Sequence, residues 1–216
     1  AYLAGFIMTG FVMCRVARRW DLDLSIDDIM SIVIGVAFGV IIGGRLGYVL
    51  LYGAGYYLEH PAEIIATWDG GMSFHGGLAG AVVGGSIVCR QYKISIPTIC
   101  DLAVIGATWG IFFGRCANFV NGELWGKECD LPWAVAFPSG GGVFRHPSQL
   151  YEAVLEGLVI FCVLWALSRK RPARPQGTFM GTFLLLYGIF RFLIEFVRVP
   201  DAQLGYLFGP ITMGQC

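Results

Sequence analysis

The sequence predicts an all-α fold, a polytopic membrane bundle with about six spanning helices in 216 residues. Hydrophobic residues make up 56% of the chain and charged residues only 14%, whereas a water-soluble protein usually has about 25% charged residues. The mean hydropathy of +0.66 supports the same interpretation. The 31 glycines are about twice the usual share, which favours helices that pack closely through small residues. The net charge of zero gives no reason to expect a nucleic-acid partner.

Five apolar runs are long enough to cross a hydrocarbon core of about 30 Å, which takes roughly 20 residues of helix. They cover residues 29–51, 72–89, 99–120, 150–168 and 178–197. An earlier apolar stretch, residues 2–14, predicts the latter part of a first helix, and residues 207–216 predict the beginning of a further span. We therefore expect residues 1–216 to be an internal fragment that forms a single transmembrane domain.

Lysine and arginine are distributed unevenly between alternate loops, and this asymmetry predicts the orientation of the bundle. Nine of the 15 basic residues fall in the loops after spans one, three and five, among them Arg18, Lys93 and Arg174. We assign those loops to the cytoplasm. The opposite loops, which include Arg198, then face the periplasm, and a short segment around residues 121–147 is expected to be extracytoplasmic.

Three arginines lie inside the predicted spans, each late in a span that runs outward: Arg45, Arg115 and Arg191. A buried arginine costs about 2.5–3.5 kcal/mol on membrane-insertion scales, so each one requires a compensating partner. The spans that run inward bring His75 and Glu152 to the same outer level. Polar groups from five helices are therefore expected at one depth in the outer half of the bilayer.

Span six carries Tyr187, Arg191 and Glu195 at intervals of four residues, which places the three side chains on one helical face. A purely structural interpretation pairs these charges within the bundle, for example Arg191 with Glu195 or Arg45 with Glu152. Three buried guanidiniums nevertheless exceed the carboxylates expected nearby. That excess favours a phosphate ligand, and an anionic lipid headgroup is the natural candidate.

Two segments carry the densest motifs. Residues 114–126 read Gly-Arg-Cys-Ala-Asn-Phe-Val-Asn-Gly-Glu-Leu-Trp-Gly, which is more polar than the plain end of an apolar helix requires. Residues 70–77 surround His75 with four glycines at a membrane boundary, where the backbone can bend around a ligand.

At these residues the sequence resembles the bacterial prolipoprotein diacylglyceryl transferase family. The family signature Gly-Arg-x-x-Asn-Phe-x-Asn-Gly-Glu-x-x-Gly matches residues 114–126, and further motifs match residues 43–48, 68–77, 145–152, 187–196 and 200–203. The family has about seven spans and an essential tyrosine in its first helix, at a position just ahead of residues 2–6. The resemblance therefore implies that activity belongs to the full-length protein rather than to this stretch alone.

The resemblance implies an enzyme of the bacterial inner membrane whose site faces the periplasmic leaflet. It would move the diacylglyceryl group of phosphatidylglycerol, a membrane lipid, onto the lipobox cysteine thiol in the signal peptide of a prolipoprotein. The products are a thioether and glycerol phosphate, and no metal ion or cofactor is implied. The expected catalytic residues are His75, as the base, together with Arg115, Arg191 and Tyr187. Substrate contacts are expected from six further residues: Arg45, Asn118, Asn121, Glu123, Gly126 and Glu195.

An anion or lipid transporter with an arginine-lined cavity is the main alternative, because inward-facing arginines also line anion pathways. Transport favours polar residues that continue to the cytoplasmic side, but the inner halves of spans two, four and six are apolar apart from Asp101. An intramembrane serine protease is disfavoured because Ser73 lies only two residues from His75, a spacing poorly suited to a catalytic dyad. A metal-dependent lipid phosphotransferase would need several aspartates in one span, whereas Asp101 stands alone.

Overall fold

The computed structural model describes residues 1–53, 55–170, 175–199, 206–208 and 211–212, and it is mostly helical. The helices of 18 or more residues are α1 (Tyr2–Arg19), α2 (Ile26–Tyr52), α3 (Phe74–Gln91), α4 (Ile96–Asn121), α5 (Ser148–Leu167) and α6 (Thr178–Glu195). Each one corresponds to an apolar run of the sequence, with its ends shifted by a few residues.

Four of these helices, α2, α4, α5 and α6, are long and apolar enough to cross a membrane. The α1 helix continues beyond the predicted end of its apolar run through three arginines, and α3 is rich in glycine and ends on Arg90 and Gln91. These residues lower the hydropathy of α1 and α3. The architecture is thus a helical membrane protein with four candidate spans, and the count of six remains a prediction.

The chain forms two compact units, one of residues Asp23–Ile99 and one that combines Ala1–Leu22 with Cys100–Cys216. In the first unit, α2 packs against α3 along facing glycines. The glycines of this seam are Gly35, Gly39, Gly43 and Gly47 on α2 and Gly76, Gly80 and Gly84 on α3. A Cβ added to Gly80 would overlap the carbonyl oxygen of Gly39, so the backbones approach too closely for any side chain there.

In the second unit, α1 packs against α4 through small residues as well. A Cβ on Gly5 would lie 2.8 Å from the Cα of Gly110, and one on Gly106 would lie 2.6 Å from the Cα of Thr9. The four-residue glycine spacing of the sequence therefore marks close helix contacts in both units.

Asp101, the lone aspartate of the predicted spans, caps another helix. It is 3% exposed. Its Oδ2 accepts a hydrogen bond from the Gly177 amide at 2.7 Å, and its Oδ1 accepts one from the Met180 amide at 2.9 Å. Amides at a helix N-terminus have no partner within the helix, so Asp101 of α4 satisfies the start of α6.

The middle of α5 is a π-helix, Ala153–Val159, which lies between α-helical segments at Ser148–Glu152 and Ile160–Leu167. The wider turn begins directly after Glu152. Gly157 within it lets α4 approach, since a Cβ there would lie 2.8 Å from the Cβ of Phe112. Such π segments are rare, and they occur frequently at functional sites.

Between α4 and α5 the chain forms a short antiparallel pair, β1 (Val135–Ala136) with β2 (Phe144–Arg145), in the segment predicted to be extracytoplasmic. A second antiparallel pair joins β3 (Tyr206–Phe208) to β4 (Ile211–Thr212). The described residues of 207–216 lie in these two strands rather than in the expected start of a span. The predictions that concern Arg171, Arg174 and residues 200–203 lie outside the described residues.

Replacing Gly80 by leucine should separate α2 from α3, because the added atoms meet backbone that cannot move without the whole helix. Overpacking of this kind typically costs about 1–3 kcal/mol, so we expect a lower thermal unfolding midpoint in detergent. Gly181→Leu is the matched control, since a Cβ at Gly181 meets nothing within 4 Å. Equal midpoints for the two variants would contradict the close packing of the seam.

Candidate functional site

A single carboxylate joins two of the predicted arginines. Glu152 of α5 is fully buried, and its Oε1 accepts a hydrogen bond from Nη1 of Arg191 at 2.6 Å. Its Oε2 lies 3.0 Å from Nε of Arg115, an ion-pair contact in which the N–H is not aligned for a hydrogen bond. Because Arg115 belongs to α4 and Arg191 to α6, Glu152 connects three helices at one point.

Two further charged residues complete this group. Nη2 of Arg191 lies 2.9 Å from Oε2 of Glu195, one turn later on α6. The Arg198 side chain, which the loop count placed on the outer surface, is only 5% exposed, and its Nε lies 3.8 Å from Oε1 of Glu152. Residues 191, 195 and 198 follow the spacing of one helical face, and this signal could have identified Arg198 in the sequence. The five residues of this arginine cluster are Arg115, Glu152, Arg191, Glu195 and Arg198.

Arg115 and Arg191 differ in how many of their guanidinium N–H donors remain without a partner. Within the described residues, Nη1 and Nη2 of Arg115 have no hydrogen-bond or ion-pair partner, and its side chain is 21% exposed. Both terminal nitrogens of Arg191 contact carboxylates instead. Arg115 therefore presents the planar pair of donors that matches two oxygens of a phosphate group.

A third carboxyl group lies close to the cluster without joining it. Glu156, one turn after Glu152, is fully buried, and neither of its side-chain oxygens has a hydrogen-bond partner within the described residues. The arginine cluster itself thus holds three guanidiniums and two carboxylates, with the Glu156 carboxyl group beside it. In the described ranges no three His, Cys, Asp or Glu side chains are placed to hold a metal ion.

Tyr187 lies on α6 one turn before Arg191. Its ring is half-buried and stacks on Phe183, with centroids 5.6 Å apart. The phenol interacts electrostatically with Arg115, Arg191 and Glu152. Three of the predicted catalytic residues thus lie close to one another: Tyr187, Arg115 and Arg191.

The motif after α4 folds into a compact turn against the start of α5. Nδ2 of Asn118 donates to Oε2 of Glu123 at 3.2 Å, and the Glu123 amide donates to the Asn118 carbonyl at 2.9 Å. From α5, Nε2 of Gln149 donates to the Glu123 carbonyl at 2.5 Å, and Oγ of Ser148 donates to the Leu124 carbonyl at 3.1 Å. These bonds tie the motif to the helix that bears Glu152.

Gly126 joins the same motif to the end of α6. A Cβ at Gly126 would lie 2.7 Å from both the Cβ of His146 and the carbonyl oxygen of Val197, so no larger residue fits. The Gly126 amide donates to the His146 carbonyl at 2.9 Å, and Gly126 forms a β-bridge with Arg198. Asn121, the last residue of α4, is exposed, and its side chain makes no hydrogen bond within the described part of the chain.

Arg45 belongs to the Asp23–Ile99 unit, and its partners are backbone carbonyls. Nε donates to Ile64 at 2.8 Å, Nη1 donates to Gly70 at 2.6 Å and to Gly71 at 3.2 Å, and Nη2 donates to Glu63 at 2.5 Å. These four hydrogen bonds satisfy a residue that is 6% exposed. The loop before α3 therefore compensates the buried charge, and the predicted contact of Arg45 with substrate stays a prediction.

The same loop contains a phenol–carboxylate pair outside the spans. The hydroxyl of Tyr56 donates to Oε2 of Glu63 at 2.9 Å, and this hydrogen bond raises the pKa of Tyr56 above its ordinary value. The Tyr56 ring also stacks on His60, with centroids 4.4 Å apart. These contacts order the loop whose carbonyl oxygens accept the hydrogen bonds of Arg45.

This loop is followed directly by α3, which carries His75. Gly71 has φ +77°, and a Cβ there would lie 2.9 Å from Nη1 of Arg45, so the position requires glycine. Ser73 is the N-cap of α3, and its hydroxyl accepts a hydrogen bond from a helix amide rather than from His75. His75 is the second residue of α3. Its exposed ring contacts Phe74 edge to face, and neither ring nitrogen has a hydrogen-bond partner within the described residues.

Comparison with known proteins identifies the family. A family model for prolipoprotein diacylglyceryl transferase matches residues 1–216. The chain is 53% identical to the phosphatidylglycerol–prolipoprotein diacylglyceryl transferase of Geobacter sulfurreducens, over 99% of this chain and 82% of that protein. It is 48% identical to the protein of that name from Nitratidesulfovibrio vulgaris (99% and 81% covered) and 45% identical to the one from Mannheimia succiniciproducens (99% and 80% covered). The resemblance predicted from the motifs is confirmed, and the chain belongs to the prolipoprotein diacylglyceryl transferase family, a family of transferases.

Proposed function

We propose that this protein transfers the diacylglyceryl group of phosphatidylglycerol to the lipobox cysteine in a prolipoprotein signal peptide, with release of glycerol phosphate. The arginine cluster is the observation that carries this proposal, because it holds Arg115 through Nε and leaves its two terminal nitrogens without a partner within the described residues. The names of the relatives contain both substrates. The loop charges favour the bacterial inner membrane, with the site towards the periplasmic leaflet.

Arg115 and Arg191 act on the phosphodiester of the lipid. Arg115 binds phosphate oxygens through Nη1 and Nη2, while Arg191 supplies a second positive charge that Glu152 and Glu195 hold in place. The bond that breaks joins the diacylglyceryl carbon to the phosphate-ester oxygen. Its electrons go to that oxygen, and glycerol phosphate leaves with one more negative charge than the phosphodiester carried. Preorganised donors stabilise such a developing charge more effectively in a partly buried site than in water.

The cysteine sulfur is the nucleophile. A thiol with an ordinary pKa of about 8.5 must lose its proton before it can attack efficiently, and a histidine is a suitable acceptor near neutral pH. We assign this step to His75, whose ring nitrogens have no hydrogen-bond partner in the described residues. The new sulfur–carbon bond forms as the carbon–oxygen bond breaks, so the thiol proton remains on the histidine.

The residues of the signature motif hold this geometry in place, and a neighbouring phenol lines the site. Asn118 and Glu123 fix the turn after α4, and Gly126 lets that turn approach the end of α6. Tyr187 places a phenol beside the guanidiniums, where it can donate a hydrogen bond to a bound phosphate.

The direct test combines the purified full-length protein with phosphatidylglycerol and a cysteine-containing lipobox peptide, followed by mass spectrometry of the peptide. We expect an adduct whose mass corresponds to one diacylglyceryl group on cysteine, together with free glycerol phosphate. A reaction with phosphatidylethanolamine in place of phosphatidylglycerol tests the choice of headgroup. If neither lipid gives an adduct, the proposed transfer is wrong.

Arg115→Lys should lower kcat/KM for phosphatidylglycerol by about 100-fold or more, because a single ammonium group cannot replace two parallel N–H donors on the phosphate. Steady-state transfer to the lipobox peptide measures the loss. Arg90→Lys makes the same replacement at an exposed position at the end of α3 and should retain normal activity. Equal activity of the two variants would remove Arg115 from the phosphate site.

His75→Ala should abolish thioether formation while the protein still binds phosphatidylglycerol, since the base acts on the thiol and not on the lipid. We expect transfer to fall by about 10²–10⁴-fold. Binding of the lipid is followed separately by native mass spectrometry. His60→Ala is the matched control, because His60 is also exposed and belongs to the same unit. Substantial transfer by the His75 variant would mean that another group accepts the proton.

A further inference from the structure

Glu152 occupies a position that no other carboxyl group of the cluster shares. It is fully buried, and three guanidiniums approach it: Arg115 at 3.0 Å, Arg191 at 2.6 Å and Arg198 at 3.8 Å. A carboxylate without water around it is tolerated only when such partners surround it. Removing its charge would leave three neighbouring cations that repel one another.

The two oxygens of Glu152 are divided between two helices. Oε1 binds Arg191 of α6, and Oε2 contacts Arg115 of α4. The separation of the two guanidiniums is therefore set by the width of one carboxylate group. Both guanidiniums are thus anchored on one side chain.

The contact on Arg115 is made at Nε and not at the terminal nitrogens. A carboxylate that received Nη1 and Nη2 would occupy the donors that a phosphate needs. Contact at Nε instead leaves Nη1 and Nη2 without a partner within the described residues. Glu152 thus determines which edge of Arg115 remains available.

The other two carboxyl groups do not share this geometry. Glu195 lies on α6 with Arg191, and its ion pairs are with Arg191 on the same helix and with Arg198 directly after it. Glu156 forms no ion pair within the described residues. Glu152 also has a fixed backbone, because Gln149 and Ser148 in the preceding turn bind the carbonyls of the signature motif.

We propose that Glu152 is the positioning residue of this site: it holds Arg115 and Arg191 so that both guanidiniums meet one lipid phosphate, and it keeps the terminal nitrogens of Arg115 free for it. This inference rests on the proposed function, since the phosphate is that of phosphatidylglycerol. Glu152 itself touches no reacting atom.

The test is Glu152→Gln, which preserves the size of the side chain and removes its charge. Two-substrate kinetics in mixed micelles should show kcat/KM for phosphatidylglycerol lowered by about 100-fold, because a small misplacement of binding groups has effects of that size. The KM for the lipobox peptide should stay within about threefold of the wild-type value, which a general loss of structure would not allow.

Two companion variants separate positioning from charge and from folding. Glu128→Gln breaks another glutamate–arginine pair, with Arg145, but Glu128 is 67% exposed, so its transfer activity should stay within about twofold. Glu152→Asp keeps the charge on a side chain one methylene shorter, which reaches one arginine but not both. It should fold with a near-normal unfolding midpoint and still lose about tenfold or more in kcat/KM for the lipid.

The outcomes distinguish the two proposals. If the wild-type protein forms no thioether adduct, the proposed function fails. If the wild-type protein is active and folded Glu152→Gln or Glu152→Asp matches it on phosphatidylglycerol, the positioning role alone is overturned. A folded Glu152→Gln that loses affinity for lipid and peptide to the same extent also overturns it.

Discussion

A charge buried in a helical bundle has to find partners of opposite charge or strong hydrogen-bonding groups, and this constraint shapes the whole molecule. Three buried residues meet it in different ways. Arg45 donates hydrogen bonds to four backbone carbonyls, and Asp101 accepts hydrogen bonds from two helix amides. Glu152 pairs with guanidiniums from two helices. The first two arrangements order a loop and a helix end. The third one joins the two proposed phosphate ligands, Arg115 and Arg191, at the junction of α4, α5 and α6.

The difference between a structural arginine and a ligand-binding arginine lies in the donors that remain. Arg45 is 6% exposed and uses four hydrogen bonds within its own unit, so its charge needs no further partner. Arg115 is held only through Nε, and its terminal nitrogens have no partner in the described residues. Counting guanidiniums alone treats these two residues as equivalent. Counting unsatisfied donors separates them and favours Arg115 as the phosphate ligand.

Much of this architecture follows from sequence patterns, and the exceptions have physical reasons. Apolar runs predicted every long helix, and the high glycine content predicted close helix packing of the kind seen between α2 and α3. The convergence of Arg115 and Arg191 followed from their depth. The partners of Arg45 could not be predicted, because backbone carbonyls are present in every loop and carry no side-chain signal. The π-helical segment Ala153–Val159 could not be predicted either, because an apolar run does not distinguish a π-helix from an α-helix.

The distribution of charge along α4, α5 and α6 favours transfer over transport. A transport pathway needs polar groups that continue across the bilayer, but Asp101 is the single charged residue of α4 before Arg115. Both oxygens of Asp101 already accept hydrogen bonds from the start of α6, so this carboxylate does not line a pathway. The proposed phosphate site lies at one end of these helices, where it could hold a lipid headgroup while the acyl chains remain in the bilayer. The bond between the phosphate-ester oxygen and the diacylglyceryl carbon would then lie at the boundary between the phosphate site and the bilayer, where a thiol from a membrane-anchored peptide can reach it.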